Sequence, residues 1–246
     1  MNAGNGTTTV TASARSATDR AYASILHNTL TGTYRAGERL KESRLTAEFG
    51  LSRIPVREAL KRLALEGVID LHPHRGAVIR VTTRRDMVEF FQARAMLEGT
   101  SAHLAAGRVG ETDCASDRTA LIRHRNTLRG WVEEPCACTV SEYAAHNQQF
   151  HELVVALSGN GLLARLWTNL QLPAQRLDFV QRYQPGDIQS SVAEHSRIAD
   201  SILAGDGQAA ERHAREHTNR VAATVHSLAD DDFNHVFNPG LTSAGE

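Results

Sequence analysis

Four side chains in the second half of the chain carry coordination chemistry if the fold brings them together. Asn147 and His151 stand at i and i+4 within Asn147-Gln148-Gln149-Phe150-His151, so a helix presents them side by side. His195 lies on the inward period of another helical stretch, a turn before Ile198 and two before Ile202, and His217 precedes Val221 by a turn. Neutral imidazoles ligate Zn, Ni and related divalent ions. Packed or solvated helical histidines show the same spacing, and the chain has 12 histidines, so spacing leaves both readings open. A second set lies near the N-terminus. Arg53, Arg57 and Lys61 fall at i, i+4 and i+8, which lines three cations along one helix face while Val56, Ala59, Leu60 and Leu63 form the buried stripe. Such a face either is merely solvated or meets a polyanion.

The elements around those cations favour the polyanion. Tyr22, Ile25, Leu26 and Leu30 predict a helix over 20–30, ended by Thr31-Gly32-Thr33. Ser43 is expected to cap a short helix with Leu45 and Phe49 inward, and Gly50 suits the left-handed position that ends it. Ser52 then offers an N-cap for a helix over 53–66, with Pro55 tolerated in its first turn and Gly67 as its stop. Val68–Leu71 and Ala77–Val81 read as two strands joined by His72-Pro73-His74-Arg75-Gly76. Two short helices joined at a glycine, the second cationic, followed by a hairpin tipped with His74 and Arg75, predict a winged helix-turn-helix that reads DNA.

Charge supports that division. The whole chain is nearly neutral, with Lys+Arg 27 against Asp+Glu 28 in 246 residues. From Arg20 to Arg85 the balance is +7, and from Asp86 to Glu246 it is -8. With 41% hydrophobic residues the chain builds a core, and its apolar runs fall short of the ~20 residues of a membrane span. Three cysteines, among them Cys136 and Cys138, are too few for a disulfide scaffold and fit a reducing, cytoplasmic setting. Residues 1–17, rich in Asn, Gly, Thr and Ser, read as a disordered tail, and residues 229–246, without sustained period, as a second loose end.

Between them, from Thr83 onward, strand-like alternation gives way to helix. A start at Thr83 and Asp86 leads into Met87, Phe90, Phe91, Arg94 and Leu97. Further helices are expected over about 112–130, 141–157, 161–183, 187–204 and 208–228, with Pro173 kinking the fourth of the six. The expected architecture is therefore mainly α. A winged helix-turn-helix over 18–83 precedes an all-helical bundle over 84–228, large enough to enclose a pocket.

Leu51-Ser52-Arg53-Ile54-Pro55-Val56-Arg57-Glu58-Ala59-Leu60, with Leu63 and Glu66-Gly67-Val68-Ile69, resembles the signature of GntR-family bacterial transcription regulators. The resemblance implies base and phosphate contacts from Arg53 and Arg57 and a wing glycine, Gly76, that lets the hairpin approach the minor groove. Ser52, Lys61, His74 and Arg75 join that DNA-facing set. Some relatives place a DNA-contacting Arg where this chain has Ser43, with Arg44 next to it. The 84–228 region is similar to the FCD sensor domain of the FadR subgroup, through Arg94-Ala95-Met96-Leu97-Glu98, Phe150-His151, Ser158-Gly159-Asn160, Glu194-His195, Ala204-Gly205-Asp206 and Ala209-Ala210 with His217. That resemblance implies a divalent metal held by Asn147, His151, His195 and His217, with Asn147 where many relatives have Asp. It also implies a small carboxylate effector at the metal, with Arg94 near the pocket. The expected protein is a homodimeric, non-enzymatic repressor on an operator. A metal-free effector pocket is the alternative. A metal-dependent enzyme is a third reading, disfavoured because Glu152, the one acid adjacent to His151, should point away from the histidine face.

Overall fold

The structure, a computed structural model, describes residues 16–72, 76–134, 138–170 and 185–241. The chain divides into two compact units, Met1–Arg80 and Val81–Glu246.

In the first unit, α1 (Ala17–Leu30) starts three residues earlier than its apolar period suggests, because Ser16 Oγ accepts from the Asp19 N–H at 3.1 Å and caps it. β1 (Arg39–Leu40) leads into α2 (Glu42–Phe49), α3 (Arg53–Leu65), β2 (Ile69–His72) and β3 (Gly76–Ile79). The sheet is antiparallel in the order β1-β3-β2, with Leu40 opposite Ala77 and His72 opposite Gly76. At two residues, β1 is too short for alternation to show in the sequence.

The cap of α2 is a correction. Lys41, not Ser43, holds the N-cap position, and it makes no side-chain capping bond. Ser43 sits two residues too late, exposed, its carbonyl accepting from Thr46 Oγ1 at 2.9 Å. Gly50 ends α2 at φ +62°, where a side chain would be strained. Ile25, Tyr34, Leu45, Val56, Leu60, Leu63, Ile69 and Ile79 close the core, so each element of this unit contributes to one apolar centre.

The second unit is helical: α4 (Arg84–Arg108), α5 (Ala115–Glu133), α6 (Val140–Leu157), α7 (Gly161–Asn169), α8 (Pro185–Leu203), α9 (Gly207–Ser227) and α10 (Asp230–Phe237). Reciprocal capping boxes, Thr83 with Asp86 and Thr139 with Glu142, set the starts of α4 and α6. The expected helix over 161–183 is described as far as Asn169, and Pro173 lies outside the described residues. The main core joins Ala102, Ala105, Leu121, Leu128, Phe150, Leu157, Val192, Ile198 and Ile202 from α4, α5, α6 and α8.

The expected loose end from Asp230 is likewise corrected. Phe233, Val236 and Phe237 of α10 are buried against Met87, Phe91, Val221 and Val225. Burying each such side chain is worth roughly 1.5–3 kcal/mol, ample to hold an eight-residue helix that could not persist alone. The two expected tails otherwise fall mostly outside the described residues: 1–15 and 242–246.

Candidate metal centre and nucleic-acid interface

The cationic face of α3 is built by period alone. Val56, Ala59, Leu60 and Leu63 turn inward, which leaves Arg53, Arg57 and Lys61 exposed. Arg57 lies against Glu42 of α2, Nε donating to Oε1 at 3.1 Å and Nη2 to Oε2 at 2.9 Å. Lys61 Nζ donates to Glu58 Oε1 at 2.8 Å, and Arg44 pairs with Glu38 at 2.6 Å. These pairs face water, where an ion pair contributes little and exchanges readily for another anion. Ser52 holds the N-cap position of α3 in extended backbone without a side-chain capping bond. Ile54 is 76% exposed beside Arg53, an apolar group on the same end of the helix that periodicity did not single out. Gly76 opens β3 at φ +80°, a backbone form that favours glycine, while His74 and Arg75 lie outside the described residues.

Three of the four proposed metal ligands converge. His151 of α6, His195 of α8 and His217 of α9 are all buried, and one nitrogen from each lies within 4.8 Å of the others. His195 Nε2 is 3.1 Å from His217 Nε2. Imidazole nitrogens around a tetrahedral ion stand about 3.3 Å apart, so the separation suits a shared cation. His217 Nδ1 lies 2.7 Å from Glu194 Oε2, and Arg220 Nε donates to Glu194 Oε1 at 2.6 Å. The carboxylate holds the proton on Nδ1 and turns the Nε2 lone pair inward, the arrangement that carries ligating histidines. His151 Nδ1 approaches Glu98 Oε2 at 3.3 Å, while its Nε2 is buried without a hydrogen-bond partner, as is His195 Nδ1. Burial pushes the His151 imidazole down to about 4 and His195 well below the ordinary histidine range, so both are neutral near pH 7. Neutral, inward-facing and partly unpartnered, these nitrogens fit a divalent cation.

Asn147 stands a turn before His151 on α6, half-buried, its Oδ1 3.4 Å from the Tyr143 hydroxyl, which lies 2.6 Å from Ser191 Oγ. Arg94 is engaged from within. It pairs with Glu98 one turn along α4, and its guanidinium carbon lies 5.0 Å from the Trp167 ring centroid. Burial pushes the Glu98 carboxyl up, but Arg94 and then His151 outweigh it and hold the group well below the usual carboxylate range. Thr218 Oγ1 adds a donor to Glu98 at 3.0 Å. In the sequence Glu98 and Glu194 stand only as members of the FCD-like motifs. Arg94 is a local partner of Glu98, but the bonds of Glu98 to His151 and Thr218, and of Glu194 to His217 and Arg220, span more than 20 residues, which local spacing does not report. His146 pairs with His124 at 2.8 Å against Trp131, and His213 pairs with Ser201 at 3.1 Å.

Comparison with known proteins agrees with both halves. The gntR family of bacterial regulatory proteins matches residues 17–79, and the FCD domain matches residues 89–220. An uncharacterized HTH-type transcriptional regulator in an unstable DNA locus of Streptomyces ambofaciens is 30% identical over 209 residues, 81% of this chain and 81% of its own. A probable D-xylose utilization operon transcriptional repressor of Paenarthrobacter nicotinovorans is 28% identical over 198 residues, 78% of this chain and 81% of its own. The solved structure of E. coli McbR/YncC shares the fold with a TM-score of 0.59 at 18% identity, over 86% of this chain and 97% of that one. These families and relatives are transcription regulators rather than enzymes. A DNA-reading winged helix matched to one family, followed by a helical domain matched to the other, makes this chain a transcription regulator of the gntR family with an FCD domain.

Proposed function

We propose that the protein is a homodimeric repressor whose grip on a two-fold operator is set by a small organic acid received at a divalent metal in the helical unit. The observation that carries the sensor half is the convergence of three buried imidazoles from three helices, one of them oriented by Glu194. His151, His195 and His217 would hold the ion, with Asn147 as the fourth protein ligand. Zn or Ni suits such imidazole-rich sets, and when bound it supplies a Lewis-acidic positive charge for a carboxylate. Asn147 contributes no charge where an Asp would, which leaves the cation more attractive to an anionic effector. Arg94, neutralised by Glu98, orders the pocket wall more than it adds net charge.

On the DNA side, Arg53 and Arg57 would enter the major groove, and Ser52, Arg44 and Lys61 would meet phosphates. His74, Arg75 and Gly76 would bring the wing to the minor groove. Two copies place their reading helices about 34 Å apart on successive turns. The repressors among the relatives support the repressing sense.

A second reading keeps the regulator and removes the metal. The 3.1 Å contact between His195 Nε2 and His217 Nε2 is also an ordinary hydrogen bond if one ring donates. Elemental analysis of untagged protein, wild type beside His195→Ala, separates the two. The metal reading expects about one divalent ion per chain, lost in the variant; none in either, with no thermal shift on adding Zn or Ni, overturns it.

A further inference from the structure

After residue 17, the family matches leave uncovered the linker 80–88 and the C-terminal segment from 221 onward. Within the helical unit these two segments bind each other. Asn238 is 2% exposed and meets the Thr82 backbone twice. The Thr82 N–H donates to Asn238 Oδ1 at 2.7 Å, and Asn238 Nδ2 donates to the Thr82 carbonyl at 2.9 Å. Nδ2 also donates to Asn234 Oδ1 at 3.1 Å, which fixes the orientation of the amide. One side chain thereby serves both polar groups of a backbone residue, as a neighbouring strand would.

Two residues on, Arg84 gathers the end of the chain. Its guanidinium donates to the carbonyls of His226 at 3.1 Å and Leu228 at 2.6 Å and to Asp230 Oδ1 at 2.7 Å, and lies 4.7 Å from the Phe233 ring centroid. The His226 and Leu228 carbonyls belong to the C-terminus of α9, where a cation is favoured by the helix dipole. Beneath this polar layer Phe233, Val236 and Phe237 seal against Met87 and Phe91 of α4 and Val221 and Val225 of α9. Thr82 is the second residue after Arg80, the last of the reading unit.

We propose that Asn238 is a positioning residue and α10 a clamp. With Arg84 they pin the point at which the polypeptide leaves the helical unit, so that two reading heads of a dimer meet two half-sites as one rigidly tethered pair. The proposal rests on the DNA-reading dimer proposed above. Freeing Thr82 lengthens the tether and lowers the effective concentration of the second head at the second half-site, without touching either head's own contacts.

The test uses the full chain as wild type, Asn238→Ala and Asn238→Asp; Asp keeps the acceptor for the Thr82 N–H and loses the donor to its carbonyl. Amide hydrogen exchange over 81–86 is expected to quicken about tenfold or more in Asn238→Ala, while peptides carrying His151, His195 and His217 stay as in wild type. A duplex selected by the wild type from a random pool is then compared with the same duplex scrambled in one half-site. Asn238→Ala is expected to lose about tenfold on the intact duplex and less than about twofold on the single half-site, with Asn238→Asp between. Equal losses on both duplexes, no loss on either, or unchanged exchange over 81–86 overturns the clamp. If the wild type selects no duplex, the DNA reading fails and exchange alone decides the clamp. Should Asn238→Ala not fold, Asn234→Ala removes only the bond that orients the amide, and the same pattern at smaller amplitude is required of it.

Discussion

Two Arg–Glu pairs, one in each unit, are chemically alike and physically opposite. Arg57 and Glu42 join α3 to α2 with side chains 58% and 37% exposed, whereas Arg94 and Glu98 join successive turns of α4 with side chains 13% and 5% exposed. In the first pair water solvates both partners, so the bond holds little energy and yields readily to a phosphate. In the second, both charges have lost their hydration, and neither can be left alone in the interior. An exposed pair therefore keeps an arginine available for a ligand, and a buried pair spends one on architecture. The reading unit keeps its cations exposed; the helical unit has committed Arg94, which leaves the buried histidines beside it as the groups that would take a ligand.

That contrast is sharpest in the buried pair. Glu98→Ala strands the Arg94 guanidinium and removes the partner of His151, and should cost about 3–5 kcal/mol in denaturant unfolding. A loss below about 1 kcal/mol, within the range of an exposed pair, would erase the distinction. Glu194→Gln comes next. It keeps the shape of the side chain but loosens the hold on His217 Nδ1, and should weaken zinc binding about 10- to 100-fold in competition with a chromophoric chelator. Unchanged affinity would mean that His217 packs without ligating. Arg57→Ala tests the exposed side. Operator affinity at fixed salt should fall about 5- to 100-fold while the melting temperature stays within about 2 °C of wild type. A variant that melts early and binds DNA normally would invert the roles assigned to the two pairs.

The reading unit was largely legible because its signals are local. The stripe Val56, Ala59, Leu60, Leu63 places the arginines by helix geometry alone, and Gly50 and Gly76 mark turns through their own backbone angles. Ser43 was misread for an equally local reason: a good capping side chain within one turn of a helix start does not oblige the helix to use it, and α2 begins at Glu42 without one. In the helical unit the histidines were visible as candidates, but the carboxylates that tune them were not. Glu98 meets Thr218 across 120 positions, and Glu194 meets His217 and Arg220 across 23 and 26. α10 was missed because a single i, i+3, i+4 set, Phe233, Val236 and Phe237, in eight residues is too short to stand out; Met87 and Phe91, at the start of α4, give it a surface to bury.

The sequence by itself determined the two-part organisation, the periods of the helices, the cationic face of α3 and the family. Each of these is carried by neighbours within a few turns, where covalent geometry and hydrophobic spacing suffice. Tertiary structure alone decided that His151, His195 and His217 meet, that Glu194 holds the outer nitrogen of His217, that the local Arg94–Glu98 pair is buried, and that the C-terminal helix is packed and tied to Thr82. Those outcomes depend on desolvation, which is set by what every other segment brings to the same place, and no local window of residues contains it.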